Sequence, residues 1–296
     1  MASQLILSLR RQKNCYGSRI SLLSPAKLNL YLNILGKLPS GYHRIESLVE
    51  RVSLCDRIGI TVTKTPDIRI SCNDKKLAVC DNLCCRAARL VQEKFGLPWG
   101  FDIALTKKIP VGAGLGGGSS NAASVIIAIN ALLRLKMSQK VMFELGARLG
   151  SDVNFFLAQT QYAFIYGRGE KVVPFTGRFL RHWVIWPGVH LSTALVYSKY
   201  TSKLTNIFNN AKILRYAVTK GDTVLVKENL YNALEKSALS ASSELKQAQE
   251  QLLAQGVFCR VTGSGSALYT IIDRAAPARV LRGLPKRWRA FAVHTF

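Results

Sequence analysis

Apolar and polar residues alternate with a period of two from Leu28 to Leu32, and strand-like apolar stretches recur within Leu48–Ile60 and Ile68–Cys72. Each is expected to be a strand. From Cys80 to Phe95 the spacing becomes helical, with Leu83, Ala87, Leu90 and Val91 on one face and Gly96-Leu97-Pro98 to end it. Phe101, Ile103, Leu105 and Ile109 return to alternation, punctuated by Pro110, which predicts a further strand. Ser120 to Leu135 is mostly apolar and free of glycine and proline, the pattern of a buried helix, and a second helix is expected over Ser138–Leu149. Strands are expected around a Gly167-Arg168-Gly169 turn and over Trp183–Trp186. Thr223–Gln255 should be largely helical, and Gly263–Ser266 a small-residue turn leading into a strand that ends at Ile272. Strands and helices follow one another without strict alternation, which predicts an α+β protein of two domains with a boundary near Gly167. The expected limits are an N-terminal extension over 1–23, a first domain over 24–166 and a second over 167–296.

A chain of 296 residues, 48% hydrophobic, has material for two cores of about 150 residues each. The longest apolar stretch, Ala122 to Leu133, is interrupted by Ser124 and Asn130 and falls short of the roughly 20 residues a bilayer needs. The seven cysteines are odd in number and lack a C-x-x-C pair, so they read as reduced thiols. Cys80, Cys84 and Cys85 stand at helical spacing and are expected to pack as small apolar side chains rather than bind metal.

Charge raises a rival. Lys and Arg number 41 against 17 Asp and Glu, a net +24, which is the balance of a nucleic-acid-binding protein. The basic residues are scattered, apart from Arg274, Arg279, Arg282, Lys286, Arg287 and Arg289, and no known nucleic-acid-binding signature accompanies them. The first acidic residue is Glu46, and Arg10, Arg11, Lys13 and Arg19 stand among serines before it. Such a start has the composition of an organellar transit peptide. A ragged extension on a cytoplasmic protein is the plainer expectation, with a plastid-type organelle as its alternative.

Candidate chemistry centres on Ile109 to Ala123, I-P-V-G-A-G-L-G-G-G-S-S-N-A-A, which lies between the predicted strand and the predicted buried helix. Gly112, Gly114, Gly116, Gly117 and Gly118 let main-chain N–H groups converge on an anion, and the helix N-terminus adds partial positive charge. Ser119 and Ser120 add hydroxyl donors, and either would serve as a cap. No lysine follows the glycines, so the P-loop pattern fails. G-x-G-x-x-G is satisfied by letter, but no Asp or Glu occurs between Asp102 and Glu144 to hold a dinucleotide ribose. A phosphate-binding loop of another kind remains, with a glycine-rich turn that holds no ligand as its alternative. Taken singly, Lys27 before a strand would be solvated surface, and Asp152 after Gly150-Ser151 a turn or N-cap aspartate.

Their company changes the reading. Pro25-Ala26-Lys27-Leu28-Asn29-Leu30, Gly41-Tyr42-His43, the glycine loop, Gly150-Ser151-Asp152-Val153 and Thr262-Gly263-Ser264-Gly265-Ser266 occur in one order. That order resembles the GHMP kinase superfamily, which includes galactokinase, homoserine kinase and mevalonate kinase. The resemblance runs from about Ser24 to Ile272. It implies the two-domain GHMP kinase fold: an N-terminal domain like ribosomal protein S5 domain 2, a ferredoxin-like C-terminal domain, and a cleft where ATP, with Mg2+, meets an alcohol. The first two motifs narrow the resemblance to the branch whose acceptor is 4-diphosphocytidyl-2-C-methyl-D-erythritol, phosphorylated on its 2-hydroxyl. Other acceptors of the superfamily, homoserine or mevalonate, are the alternative. A small-molecule enzyme of this kind implies no membrane, no obligate nucleic acid, and a monomer or homodimer.

By the resemblance, Asp152 matches the catalytic aspartate and Lys27 its paired lysine. Pro110, Val111, Gly112, Ala113, Gly114, Leu115, Gly116, Gly117, Gly118, Ser119 and Ser120 match the loop around the ATP phosphates. Tyr42 and His43 match the residues that hold the cytosine, Asn29 lies beside the acceptor, Gly263 and Ser264 line the same cleft, and Tyr197 stands where an aromatic covers the other face of the base. Ser151 and Asn154 replace the family's usual Ala and Pro around Asp152. Ala113 replaces a frequent glycine, which is tolerable if its φ is negative. The chemistry asks for the same types: phosphoryl transfer needs positioned phosphates and charge neutralisation, and a carboxylate to take or orient the hydroxyl proton.

Overall fold

The structure, a computed structural model, describes residues 16–39, 41–201, 210–272 and 283–296. The chain forms two compact units, neither of which is a continuous run. The first takes the segment ending at Pro25, then Cys55–Ile109 and Gly117–Gln159; the second takes Ala26–Leu54, Pro110–Gly116 and Thr160–Phe296. Two long strands, β1 (Arg19–Lys37) and β2 (His43–Thr63), each begin in one unit and end in the other.

In the first unit, β3 (Ile68–Cys72) pairs parallel with β4 (Gly100–Thr106), whose other neighbour is the antiparallel stretch Arg57–Thr63 of β2. Phe101, Ile103 and Leu105 of β4 are buried and the residues between them exposed, the expected alternation. The strand stops at Thr106, so Ile109 is buried outside it. Helix α1 (Leu83–Phe95) starts on Asn82, whose side chain accepts the Cys84 N–H, and ends at Gly96 with φ 58°. Its buried residues are Cys84, Cys85, Ala87, Ala88 and Val91, so the expected inner positions Leu83 and Leu90 are only half-buried. Small side chains on that face let α1 approach α2 (Gly117–Leu132) closely. Burial pushes the Cys84 thiol up to about 12, and it packs as an apolar group. Cys80 is exposed, and among the described residues no cluster of His, Cys, Asp and Glu is suited to a metal.

Helix α2 begins three residues before the expected Ser120, inside the glycine run. It is followed by α3 (Gln139–Leu149), capped by the Ser138 hydroxyl, and the short α4 (Val153–Leu157).

The second unit holds the hairpin β5 (Tyr162–Gly167) and β6 (Lys171–Phe175), with β5 antiparallel to Ile45–Glu50 of β2. Gly167 and Gly169 make the turn at φ 75° and 120°. Strand β7 (Arg181–Trp186) belongs to a second, antiparallel sheet. Helices α5 (Thr193–Ser198), α6 (Asn210–Lys220) and α7 (Thr223–Glu228) lead to β8 (Tyr231–Asn232), which pairs parallel with β1. Helices α8 (Glu235–Ala241) and α9 (Ser243–Ala254) follow, then β9 (Arg260–Val261), β10 (Leu268–Ile271) and β11 (Arg289–His294). The second sheet runs in the order β11-β7-β10-β9. The helical stretch expected over Thr223–Gln255 is therefore three helices interrupted by β8, because Asn232 there is tied to the neighbouring turn by side-chain hydrogen bonds. In this unit's core, Glu50 accepts hydrogen bonds from Thr295 (2.6 Å) and Tyr162 (3.2 Å), and its other oxygen lies 2.8 Å from His182.

The α+β class is as expected. Residues 19–23 of the expected extension are the first residues of β1. Arg10, Arg11, Lys13 and the basic Arg274, Arg279 and Arg282 lie outside the described residues. Among the described residues no helix is long and apolar enough to cross a membrane.

Candidate active site

The glycine loop of the second unit is built by alternation. Gly112, Gly114 and Gly116 take φ of 64°, 74° and 69°, and the residues between them, Ala113 and Leu115, keep φ outside the left-handed region and are buried. Such alternation turns successive N–H groups toward one side, the concave arrangement that receives an anion. It also explains why Ala113 is accepted where glycine is common. The loop is fastened to the turn that follows β9. Ala267 donates its N–H to Ala113 (3.1 Å), and a Cβ on Gly114 would run into the carbonyl of Thr262 and come within 3.0 Å of the Gly265 backbone. Lys27 N–H donates to Leu115 (3.0 Å) and Leu191 N–H to Gly112 (3.2 Å).

Lys27 is 4% exposed, so the solvated-surface reading of this lysine fails. Its Nζ donates to Asn29 Oδ1, and Asn29 in turn donates from Nδ2 to Ser47 Oγ (2.9 Å) and from its N–H to Thr262 Oγ1 (3.0 Å). A Cβ on Gly263 would lie 3.1 Å from both Lys27 Nζ and Asn29 Oδ1 and 3.2 Å from the Gly114 carbonyl. Lys27, Asn29, Gly114 and Gly263, four positions spread over most of the sequence, thus converge within a few ångströms. Ser264 pairs its hydroxyl with Thr193 (3.0 Å). Asn232 donates to the carbonyls of Val261 (2.7 Å) and Gly263 (2.8 Å), fixing the turn from below. Sequence reasoning missed it, since nothing local distinguishes it from any other asparagine.

Also in the second unit, the His43 and Tyr197 rings stack at 5.0 Å and 29°, with Tyr200 edge-on to His43 at 6.1 Å. Tyr42 is not part of this stack. It is 54% exposed, with the Arg168 guanidinium 5.6 Å from its ring centre. Burial, with the positive charge of Lys37 as a smaller contribution, holds the His43 imidazole below its ordinary range. His43 is therefore neutral at neutral pH, able to donate from one ring nitrogen and accept at the other.

In the first unit, Gly117, Gly118, Ser119 and Ser120 form the opening turn of α2, whose N–H groups lack intrahelical partners. Ser120 is buried and its Oγ accepts from the Ser24 hydroxyl (2.9 Å). The Gly150-Ser151-Asp152 turn lies beside this helix start: a Cβ on Gly150 would be 3.7 Å from Ser119 Oγ. Asp152 occupies the N-cap position of α4, yet its side chain makes no capping hydrogen bond, so the N-cap reading does not account for it. Asn154 packs against Gly146 of α3, which suits the short polar side chain found where the family has proline.

Residues 82–168 match the GHMP kinases N terminal domain, and residues 214–290 match the GHMP kinases C terminal domain. A protein of Syntrophotalea carbinolica named 4-diphosphocytidyl-2-C-methyl-D-erythritol kinase is 37% identical over 92% of this chain and 98% of its own length. One of the same name from a Geobacter species is 35% identical over 94% of this chain and 99% of its own. Among solved structures, a 4-(cytidine 5'-diphospho)-2C-methyl-D-erythritol kinase superposes with a TM-score of 0.78 at 32% identity, covering 93% of this chain and 98% of that one.

Proposed function

Since the chain belongs to the GHMP kinase family, we infer from its full-length relatives and its own loop that it is an ATP-dependent small-molecule kinase acting on 4-diphosphocytidyl-2-C-methyl-D-erythritol. The reaction is a step of non-mevalonate isoprenoid-precursor synthesis, and the reading assigns transfer to the 2-hydroxyl of the acceptor. The observation that carries it is the convergence of Lys27, Asn29 and Gly263 on the positive-φ loop at Gly114, which supports a place where a cation and main-chain donors attend one phosphate group.

The division of labour follows from chemistry. The loop over Pro110–Ser120 holds the β- and γ-phosphates on main-chain N–H groups, assisted by the opening turn of α2. Asp152 accepts the proton of the acceptor hydroxyl, whose oxygen forms the new bond to phosphorus while the bond to the β-phosphate oxygen breaks and ADP departs. Lys27 balances negative charge on the transferring group. His43 and Tyr197, with Tyr42, hold the cytosine, and Asn29 lies beside the sugar alcohol. Mg2+ enters with ATP. The Ser119 hydroxyl and the Asp152 carboxylate would hold it, and it would supply charge neutralisation across the transferring phosphates.

The deciding experiment is a coupled ADP-release assay of purified protein against a panel of alcohols. Turnover with 4-diphosphocytidyl-2-C-methyl-D-erythritol alone is the expected result. Turnover only with homoserine or mevalonate would transfer the protein to another branch, and salt-dependent nucleic-acid binding without ATP turnover would remove it from the kinases.

A further inference from the structure

Among the buried carboxylates that take no part in the proposed transfer, Asp56 is the one hydrogen-bonded beside the glycine loop. Asp56, on β2 and within the first unit, is 0% exposed. Its Oδ1 accepts the N–H groups of Lys108 (2.7 Å) and Ile109 (2.9 Å), and its Oδ2 accepts from the Lys107 ammonium and from Asn121 Nδ2 (2.9 Å). Lys107 Nζ also donates to Asn121 Oδ1 (3.2 Å), and Asn121 Nδ2 reaches Ser24 Oγ (2.9 Å), whose hydroxyl holds Ser120. From the other side, Asn73 accepts the Lys107 N–H (2.7 Å) and donates to its carbonyl (3.1 Å).

Residues 107–109 are the last before the glycine loop, and residues 120–121 belong to the helical turn just after it. A single side chain therefore grips both feet of the loop. An ionised carboxylate removed from water is unfavourable unless its lone pairs are filled by donors, and here four donors fill them, one of them cationic. A hydrophobic residue would fill the same volume without that requirement. What the carboxylate adds is geometric: it fixes the distance between the loop's two anchors, and with it the curvature that Gly112, Gly114 and Gly116 must close.

We propose that Asp56 is a positioning residue for nucleotide binding, setting the span of the glycine loop through Lys108 and Ile109 on one side and Asn121 on the other. The inference rests on reading the loop as the ATP phosphate site. In Asp56→Asn the new amide N–H points at donors, so the two ties to one of the carboxylate oxygens are lost with little change of volume. The expected result is a KM for ATP raised about tenfold or more, with KM for the cytidine substrate unchanged, in protein whose circular dichroism and melting show it folded at assay temperature. Asn121→Ala, which frees only the later anchor, should raise the ATP KM several-fold in the same selective way and serves if Asp56→Asn does not fold. An unchanged ATP KM in folded variants would overturn the proposal. So would a loss of kcat alone, or an equal rise in both KM values, since those are the marks of general destabilisation. Gly114→Ala run in parallel separates the two readings: if it too leaves the ATP KM untouched, the loop assignment itself falls; if it alone raises it, only the role of Asp56 does.

Discussion

In the proposed phosphate loop the recognising atoms belong to the main chain, and the side chains between them, Ala113 and Leu115, point away into the core. In the proposed cytosine slot the recognising atoms are rings on side chains, His43 stacked on Tyr197 at 5.0 Å with Tyr42 exposed beside Arg168. The first kind of site is indifferent to what its side chains are made of but intolerant of a Cβ where φ is positive. The second tolerates backbone variation and depends on each ring. The two should therefore fail differently, one through ATP and the other through the acceptor.

Asp152→Asn belongs to neither region and sets the upper scale. It should lower kcat by about 10²- to 10⁴-fold, the usual worth of a general base, while both KM values stay near those of the parent. Near-parental turnover in a steady-state assay would remove Asp152 from its role. Gly114→Ala comes next. A residue with a Cβ held at φ 74° is strained by about 1–2 kcal/mol, and contact with the Thr262 carbonyl adds to that, so the KM for ATP should rise by more than about tenfold with the acceptor KM unmoved. Tyr197→Ala should do the reverse. Loss of base stacking at about 1–3 kcal/mol raises the acceptor KM roughly tenfold and leaves ATP alone; Tyr42→Ala should follow with a smaller rise. A variant of either ring that weakened ATP would break the comparison.

The smallest effect is that of pH. Because burial and Lys37 lower the His43 pKa, the neutral imidazole persists below its ordinary titration range of about 6.5. The acceptor KM, measured downward from pH 8, should stay flat through that range and rise only once the medium is acidic enough to protonate the ring. A rise beginning near neutrality would show that His43 is not held neutral.

Much of this was legible in the letters because some constraints are local. Gly112, Gly114 and Gly116 announce themselves, since positive φ is a demand on one residue at a time. The alternation in β4 and the Asn82 and Gly96 ends of α1 are likewise short-range. The buried face of α1 was not, because its partner α2 decides it: Cys85 and Ala88 go inward and Leu83 and Leu90 stay half-buried, reversing what hydrophobicity alone would choose. Asp56, Asn121 and Asn232 were invisible for the same reason. Each acts across dozens of residues, Asp56 and Asn232 on backbone atoms and Asn121 on the Asp56 and Ser24 side chains, and a carboxylate or amide that does so looks no different in the sequence from one that faces water.

The interleaving of the two units reaches beyond catalysis to how such a gene is free to change. Because β1 and β2 pass from one unit to the other, and the glycine loop leaves the first unit at Ile109 and returns to it at Gly117, no single cut separates them. Neither half is available for shuffling onto a different partner, as a tethered module would be. Novelty in acceptor choice has to arise by substitution in place, and a recombinant cut anywhere between Cys55 and Gln159 parts the second unit's early strands from its later ones.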